Sequence, residues 1–258
     1  MNFSFPSLQL LCAKNLCKLL NNATELSKLP PAWPGKILEL LHQVPERFMV
    51  RCLNLSFCVG LTNEDIKYLP YFNQIEELDL SSTENLSGQA LACIAKLPKL
   101  RSLKLNQCPH ANVGLYYLKG HPSLEHLELD FCEIEDPVLS EFISQLNVNS
   151  LSLKCNRFTD EGADRFQQLS QLVSLDLSWN PNITDKTVRV LSRLPLLKNL
   201  KINFCRSFTI DALSELQKKS PDVNIEGIST LQNSQPICTF IKKKKQSNPF
   251  KKKKNCRR

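Results

Sequence analysis

The 258-residue chain has few glycines, few histidines and no long apolar run, and each shortage argues against a class of protein. Its seven glycines form no phosphate-binding loop. Its four histidines are scattered, and neither an HExxH zinc motif nor a nucleophile elbow is present. No apolar stretch approaches the roughly 18 residues that span a membrane. We therefore expect a protein without enzymatic activity, metal, cofactor or membrane-spanning helix.

The eleven cysteines include no CxxC pair, which argues against a zinc site. The first residues, MNFSFPSLQLLCAKNL, lack the basic segment of a secretory signal. We therefore expect a cytoplasmic or nuclear chain whose thiols are reduced rather than joined in a disulfide framework.

The net charge of +8 is concentrated at the C-terminal end. Residues 242–258 hold ten of the 33 Lys and Arg residues and no acidic residue, which leaves 23 basic against 25 acidic residues elsewhere. Such charge density predicts a disordered tail over residues 228–258. The tail could serve nuclear import, could bind nucleic acid or an anionic membrane, or could have no dedicated partner. Its two clusters are Lys242, Lys243, Lys244 and Lys245, and Lys251, Lys252, Lys253 and Lys254.

A repeat of 24 or 25 residues dominates the middle of the chain. Its leucines at the fourth position of each unit are Leu53, Leu78, Leu103, Leu127, Leu151, Leu175 and Leu200. Each unit fits L-x-x-L-x-L-x-x-(C/N), with Thr83 as the clear departure at the last position. Seven units at this period predict a repeat architecture. The units are VRCLNLSFC, IEELDLSST, LRSLKLNQC, LEHLELDFC, VNSLSLKCN, LVSLDLSWN and LKNLKINFC.

Each unit predicts a short strand followed by a helix. The alternating leucines place one side of the strand in the core, and stretches such as TDKTVRVLSRL and GQALACIAKL follow as helices. Thr62, Thr159 and Thr184 stand where helix N-caps are expected. The cysteine or asparagine at the ninth position falls where the chain turns inward, which indicates an architectural role.

These units resemble the cysteine-containing leucine-rich repeats of F-box-type and antagonist-of-mitotic-exit-network-type proteins, as in NRFTDEGADRF and NPNITDKTVRVL. The resemblance covers about residues 48–227 and implies an α/β fold. That fold is a curved leucine-rich-repeat solenoid with a parallel sheet on its concave face and helices outside. We expect an N-terminal helical cap over residues 1–47 and a last strand in PDVNIEG.

The third, fifth and seventh positions of each unit should form the concave face, which is polar and partly acidic. The eighth positions add an aromatic rim, which suits a protein-binding surface but could also only cover the loops. His126 beside Glu128 and Asp130 fits a polar face better than an acid–base cluster. We expect a protein partner here, with weak preference for a basic one. The candidate binding residues are Phe57, Glu77, Asp79, Lys104, Glu128, Asp130, Phe131, Trp179 and Phe204.

The first segment predicts a helix that is apolar almost all round, which requires burial on two sides. Ser7-Leu8-x-x-x-Cys12-x-x-x-Leu16 resembles the Elongin-binding box of von Hippel–Lindau-type substrate receptors. The resemblance implies that Elongin B–C binds this helix, through Leu8, Leu11, Cys12 and Leu16. The alternative is a two-helix cap that buries the surplus apolar face within the chain itself.

A second motif, Leu29-Pro30-x-x-Trp33-x-x-x-Ile37, resembles a Cullin-2 box and implies Cullin-2 binding through Leu29, Pro30, Trp33 and Ile37. The same stretch also resembles the start of an F-box, but too few residues follow before the first repeat. The two boxes together favour a substrate-recognition subunit of a Cullin-2/Elongin-type ubiquitin ligase, monomeric before assembly. The alternative is a leucine-rich-repeat scaffold that acts without a ligase.

Overall fold

The computed structural model describes residues 33–41 and 50–230, with side chains from 35–39 in the first range. Eight strands follow one another in a single parallel sheet, in the order of the sequence. The predicted seven repeat strands and the closing strand in PDVNIEG are therefore confirmed. The strands are β1 (Cys52–Asn54), β2 (Glu77–Asp79), β3 (Ser102–Lys104), β4 (His126–Glu128), β5 (Ser150–Ser152), β6 (Ser174–Asp176), β7 (Asn199–Lys201) and β8 (Asn224–Glu226).

The helical segments between the strands are shorter than the sequence predicts. The stretch TDKTVRVLSRL gives only seven helical residues, and the third repeat replaces its α-helix by a 3₁₀ segment, Pro109–Leu118. The other 3₁₀ segments within the described residues are Leu69–Tyr71, Asp164–Gln168 and Ile228–Thr230. The α-helices are α1 (Trp33–Leu41), α2 (Asn63–Ile66), α3 (Gly88–Ile94), α4 (Asp136–Ile143), α5 (Asp160–Ala163), α6 (Asp185–Leu191) and α7 (Ile210–Lys219).

The sheet register follows from the leucine spacing. Leu53 lies opposite Leu78, which lies opposite Leu103, and this column continues through β7 to Ile225 in β8. These leucines are almost fully buried, and they pack with the apolar residues of the helices into one core. Each repeat buries its apolar side only against its neighbours, as expected for a solenoid.

Threonines cap several of the helices, as predicted. Thr62 forms a capping box with Asp65, while Thr159 and Thr184 accept hydrogen bonds from backbone N–H groups in the first turns of α5 and α6. Capping of this kind satisfies N–H groups that have no partner inside the helix. Thr209 does the same for α7.

Helix α1 covers the first end of the solenoid. Ile37 and Leu38 are buried and belong to the same core as the repeats. Gly35 lies so close to the carboxylate of Asp65 that a Cβ at this position would overlap it. Helix α1 therefore packs on the repeat core through these residues, and the predicted cap over residues 1–47 stays a prediction because most of that range lies outside the described residues. None of the helices in the described ranges is long and apolar enough to cross a membrane.

Candidate protein-binding surface

The concave face is formed by the outward-pointing residues of the strands and the seventh position that follows each. Most of these side chains are exposed or half-buried. Three of the seventh positions differ from this expectation because they are buried: Ser56, Asp130 and Ser178 are 5%, 8% and 2% exposed. The available face is therefore built mainly by strand residues.

Lys104 and Glu128 form an ion pair in the middle of the concave face, with 2.9 Å between the amine and the carboxylate. Asn106 donates a second hydrogen bond to this carboxylate at 2.8 Å. Burial alone would raise the pKa of Glu128, but the hydrogen bonds from Lys104 and Asn106 outweigh it and lower the pKa. Glu128 is therefore ionised and already satisfied within the chain.

Lys154 lies between two carboxylates, 3.4 Å from Asp130 and 3.3 Å from Asp176. Burial lowers the pKa of Lys154, but the two negative charges raise it by more, so the amine stays protonated. Asp130 also accepts hydrogen bonds from the hydroxyl of Ser152 at 2.6 Å and from the backbone of Lys154. Asp130 is 8% exposed, so it offers little surface of its own and instead positions Lys154, and its predicted role in binding stays a prediction.

Glu77 and Asp79 differ from the other acidic residues of the face. In the described part of the chain, neither has a lysine or arginine within 4.0 Å. They line a cavity of about 320 Å³ together with Cys52, Asn54 and Lys104. Burial and the charge of Glu77 raise the pKa of Cys52, so this exposed cysteine is a neutral thiol. The first end of the concave face thus keeps an excess of negative charge.

The aromatic rim is held out of the core by the backbone. The eighth residue of all seven repeats lies in the left-handed region, with φ between 51° and 64°. This conformation costs a non-glycine residue about 1 kcal/mol, so each turn is maintained by its neighbours. Three of the predicted aromatic residues are well exposed: Phe57 at 60%, Phe131 at 46% and Trp179 at 37%.

The rings of Trp179 and Phe204 stack at the second end of the face. Their centroids are 4.1 Å apart and their planes are tilted by 31°. Trp179 and Phe204 follow strands β6 and β7, whose outward side chains include Asp176 and Lys201, each in an ion pair. A large rigid apolar surface next to satisfied polar groups is the usual composition of a binding hot spot.

The ninth positions are architectural, as predicted. The thiols of Cys108, Cys132 and Cys205 donate to the sixth-position carbonyl of the preceding repeat at 3.0 to 3.2 Å. Asn156 and Asn180 donate to the equivalent carbonyls at 2.9 Å. Thr83, the departure from the pattern, donates to the carbonyl of Leu80 in its own repeat.

The buried thiols should resist alkylation. Burial raises the pKa of Cys132 and Cys205 to about 12, so at pH 8 only about one thiol in ten thousand is ionised. We expect iodoacetamide to label both residues at least ~100-fold more slowly in the native chain than in urea, because the thiolate is the reactive form. Peptide mass spectrometry would measure this, and equal rates in the two states would contradict the architectural assignment.

The N-terminal candidates fall largely outside the described residues. Leu8, Leu11, Cys12 and Leu16 lie outside them, as do Leu29 and Pro30. Trp33 begins α1, and Ile37 is 4% exposed in the repeat core. The burial of Ile37 favours the cap interpretation for α1, and its role in Cullin-2 binding stays a prediction. The tail lysines 242–245 and 251–254 also lie outside the described residues.

Among the residues whose placement is described, no group of three His, Cys, Asp or Glu side chains is arranged to hold a metal ion. His126 is exposed and lies 3.9 Å from Glu125. The residues that sequence reasoning missed are Asp136, Asp160 and Asp185, each of which accepts hydrogen bonds from the threonine cap of the next helix. The recurrence of Thr-Asp at 159–160 and 184–185 was the available signal.

Comparisons with known proteins agree with this architecture. A Leucine rich repeat family model matches residues 147–206, and a second Leucine Rich repeat model matches residues 120–140. F-box/LRR-repeat protein 4 from Bos taurus is 32% identical over 152 residues, which is 55% of this chain and 24% of that protein. The chain therefore spans about a quarter of the length of this relative.

Among solved structures, internalin C2 from Listeria monocytogenes is similar with a TM-score of 0.50 and 23% identity. The match covers 73% of this chain and 78% of the internalin chain. The parallel sheet, the stacked leucine columns and these comparisons together show that residues 50–230 contain leucine-rich repeats arranged as a solenoid.

Proposed function

We propose that the chain is a non-enzymatic protein-interaction module whose concave face and aromatic rim bind a protein partner. The observation that carries the proposal is the stacked pair of Trp179 and Phe204 at the edge of a polar face. Aromatic side chains bury a large area at low entropic cost, so a few of them supply much of the energy of a protein interface.

We further infer that the bound protein is a substrate delivered to a ubiquitin ligase. Two observations support this inference. Residues 7–16 resemble an Elongin-binding box, and a relative of the repeats is named an F-box/LRR-repeat protein. The chain would act by proximity, holding the substrate near a ubiquitin-loaded enzyme supplied by other subunits.

The attachment to the ligase would lie before the repeats. Helix α1 already buries Ile37 and Leu38 in the core, so the docking surface falls on the preceding segment with Leu8 and Cys12. The F-box alternative has only about 20 residues between Leu29 and the first strand, which leaves little room for its remaining helices. Elongin B–C is therefore our preferred adaptor, and a Skp-type adaptor is the alternative.

Binding of the full chain to purified Elongin B–C tests this proposal. We expect binding by the wild-type chain and its loss in the Leu8→Ala/Cys12→Phe double variant, because these residues would enter the apolar pocket of Elongin C. The matched control is Lys14→Ala/Lys18→Ala on the polar side of the predicted helix, which should bind normally. All three chains must unfold cooperatively on heating, since the segment could also belong to the cap.

Binding of the same chains to a Skp-type adaptor is measured in parallel. Binding to that adaptor alone would replace Elongin by the F-box alternative. A folded wild-type chain that binds neither adaptor would contradict the ligase inference and leave a scaffold that uses its concave face independently.

A further inference from the structure

The charges of the concave face are divided unevenly between its two ends. In the second half, every carboxylate has an amine within 4.0 Å: Lys154 lies between Asp130 and Asp176, and Lys201 lies 3.2 Å from Glu226. In the first half, Lys104 is the one lysine among the described strand residues of the concave face, and its amine contacts Glu128 rather than the two acidic residues of β2. Among the described residues, Glu77 and Asp79 therefore have no amine or guanidinium within 4.0 Å, and Lys104 acts on them only over a longer distance.

The cavity beside these carboxylates has the size and lining for one basic side chain. It measures about 320 Å³ and is lined by Asn54 and Ser102 as well as by the two carboxylates. Asp79 uses one oxygen to accept a hydrogen bond from the backbone of Ser81 at 2.9 Å, which fixes its orientation. A guanidinium or ammonium group here would gain charge-assisted hydrogen bonds in a partly enclosed site.

A second anchor lies at a defined distance. The aromatic pair follows β6 and β7, whereas Glu77 and Asp79 lie on β2. Four strand spacings separate β2 from β6, which amounts to about 19 Å at ~4.8 Å per strand. An extended peptide rises ~3.3 Å per residue, so about six residues would connect the two anchors.

We propose that the concave face binds an extended segment of a partner protein with one basic and one large apolar side chain about six residues apart. The basic side chain occupies the cavity between β1 and β3, and the apolar side chain packs on Trp179 and Phe204. The proposal rests on the proposed function, since it specifies the chemistry of the partner that the concave face binds. Charge complementarity selects a basic rather than an acidic segment.

A random 12-residue peptide library displayed on phage, panned against the immobilised full chain, tests the proposal. We expect enriched peptides to carry Arg or Lys and an aromatic or large aliphatic residue separated by about six positions. Synthetic copies of these peptides should bind the Glu77→Gln/Asp79→Asn variant and the Trp179→Ala variant at least ~10-fold more weakly, and more weakly at high salt. Glu133→Gln is the matched control, because its carboxylate is exposed and paired with Arg157.

A Ser150→Arg variant separates this proposal from the proposed function, because it places a large side chain on the central strand β5. If Ser150→Arg abolishes binding while the β2 double variant and Trp179→Ala bind normally, the concave face is used but the two-anchor proposal is wrong. If none of these variants changes binding, both proposals are wrong. Enriched peptides without a basic residue, or a library that yields no enrichment over a blank surface, also overturn the two-anchor proposal.

Discussion

Replacement of Asn180 by alanine should lower the free energy of unfolding by on the order of 4 kcal/mol. The Asn180 amide is fully buried and donates to the carbonyls of Leu153 and Leu177 at 2.9 and 2.8 Å. Its oxygen accepts from the backbone N–H of Asn156 at 2.9 Å. Alanine removes these three hydrogen bonds, and the carbonyl and N–H groups that lose their partner stay buried away from water. Urea unfolding followed by circular dichroism would measure the decrease in the free energy of unfolding.

Two variants control for this effect. Asn180→Cys should cost about half as much, because cysteine occupies the same position in other repeats and its thiol can donate to the Leu153 carbonyl. Asn182→Ala removes only an exposed bond of 3.4 Å to the Arg157 carbonyl and should change stability by less than ~0.5 kcal/mol. Equal losses in Asn180→Ala and Asn182→Ala would show that the ladder of ninth-position donors contributes little.

Asp160→Asn should cost about 2 to 3 kcal/mol of stability. The carboxylate accepts from the backbone and hydroxyl groups of both Thr184 and Thr187, with hydroxyl distances of 2.7 and 2.6 Å. The asparagine side chain has one acceptor oxygen fewer than the carboxylate, and its N–H₂ group would face the N–H and O–H donors of Thr184 or Thr187. The exposed Asp164→Asn change, in the same segment, is the control and should be nearly neutral.

The contribution of Asp160 should also depend on pH. Burial raises the pKa of its carboxyl group, but the hydrogen bonds from Thr187 and Thr184 outweigh this and lower the pKa below its ordinary value. A group with a lowered folded-state pKa stabilises the native state above its unfolded value of ~3.9 and loses this contribution as the pH falls. The stability difference between wild type and Asp160→Asn should therefore shrink below about pH 4. A constant difference from pH 7 to pH 3 would contradict this assignment.

Much of the fold was predictable because the constant spacing of the repeat sets the register between neighbouring strands. The leucine spacing predicts β1–β7, and the period places Leu53, Leu78 and Leu103 in one column. Thr159 and Thr184 were found as caps because the residues after them are acidic. Helix lengths were not predictable from the repeat period. In the third repeat a 3₁₀ segment replaces the α-helix, and its Gly114 packs so closely against Gly88 that a Cβ atom on either residue would overlap the other.

The candidate surface was predictable in outline only. The sequence predicts outward positions for both Asp130 and Glu77. Only the structure shows that Ser152 and Lys154 contact Asp130, whereas Glu77 has no lysine or arginine of the described residues within 4.0 Å. The pairing of these charges depends on contacts between residues 22 to 25 positions apart on neighbouring strands. The left-handed φ of the eighth position was also beyond sequence reasoning, because aromatic residues rarely adopt it.

The aspartate–threonine hydrogen bonds have a consequence for how the chain opens. They connect α4 to α5, α5 to α6 and α6 to α7, which belong to the last four repeats. The first two repeats are joined at the equivalent place by a neutral pair, Asn63 and Ser87, whose hydrogen bonds lack the charge of a carboxylate and are therefore weaker. Local unfolding of a solenoid proceeds from the end with the weaker interfaces between neighbours. Amide hydrogens of β1–β3 should therefore exchange with solvent before those of β5–β7. A peptide bound across the whole sheet would contact both the repeats that unfold first and those that unfold last. The rate at which β1–β3 unfold locally would therefore limit the residence time of the peptide.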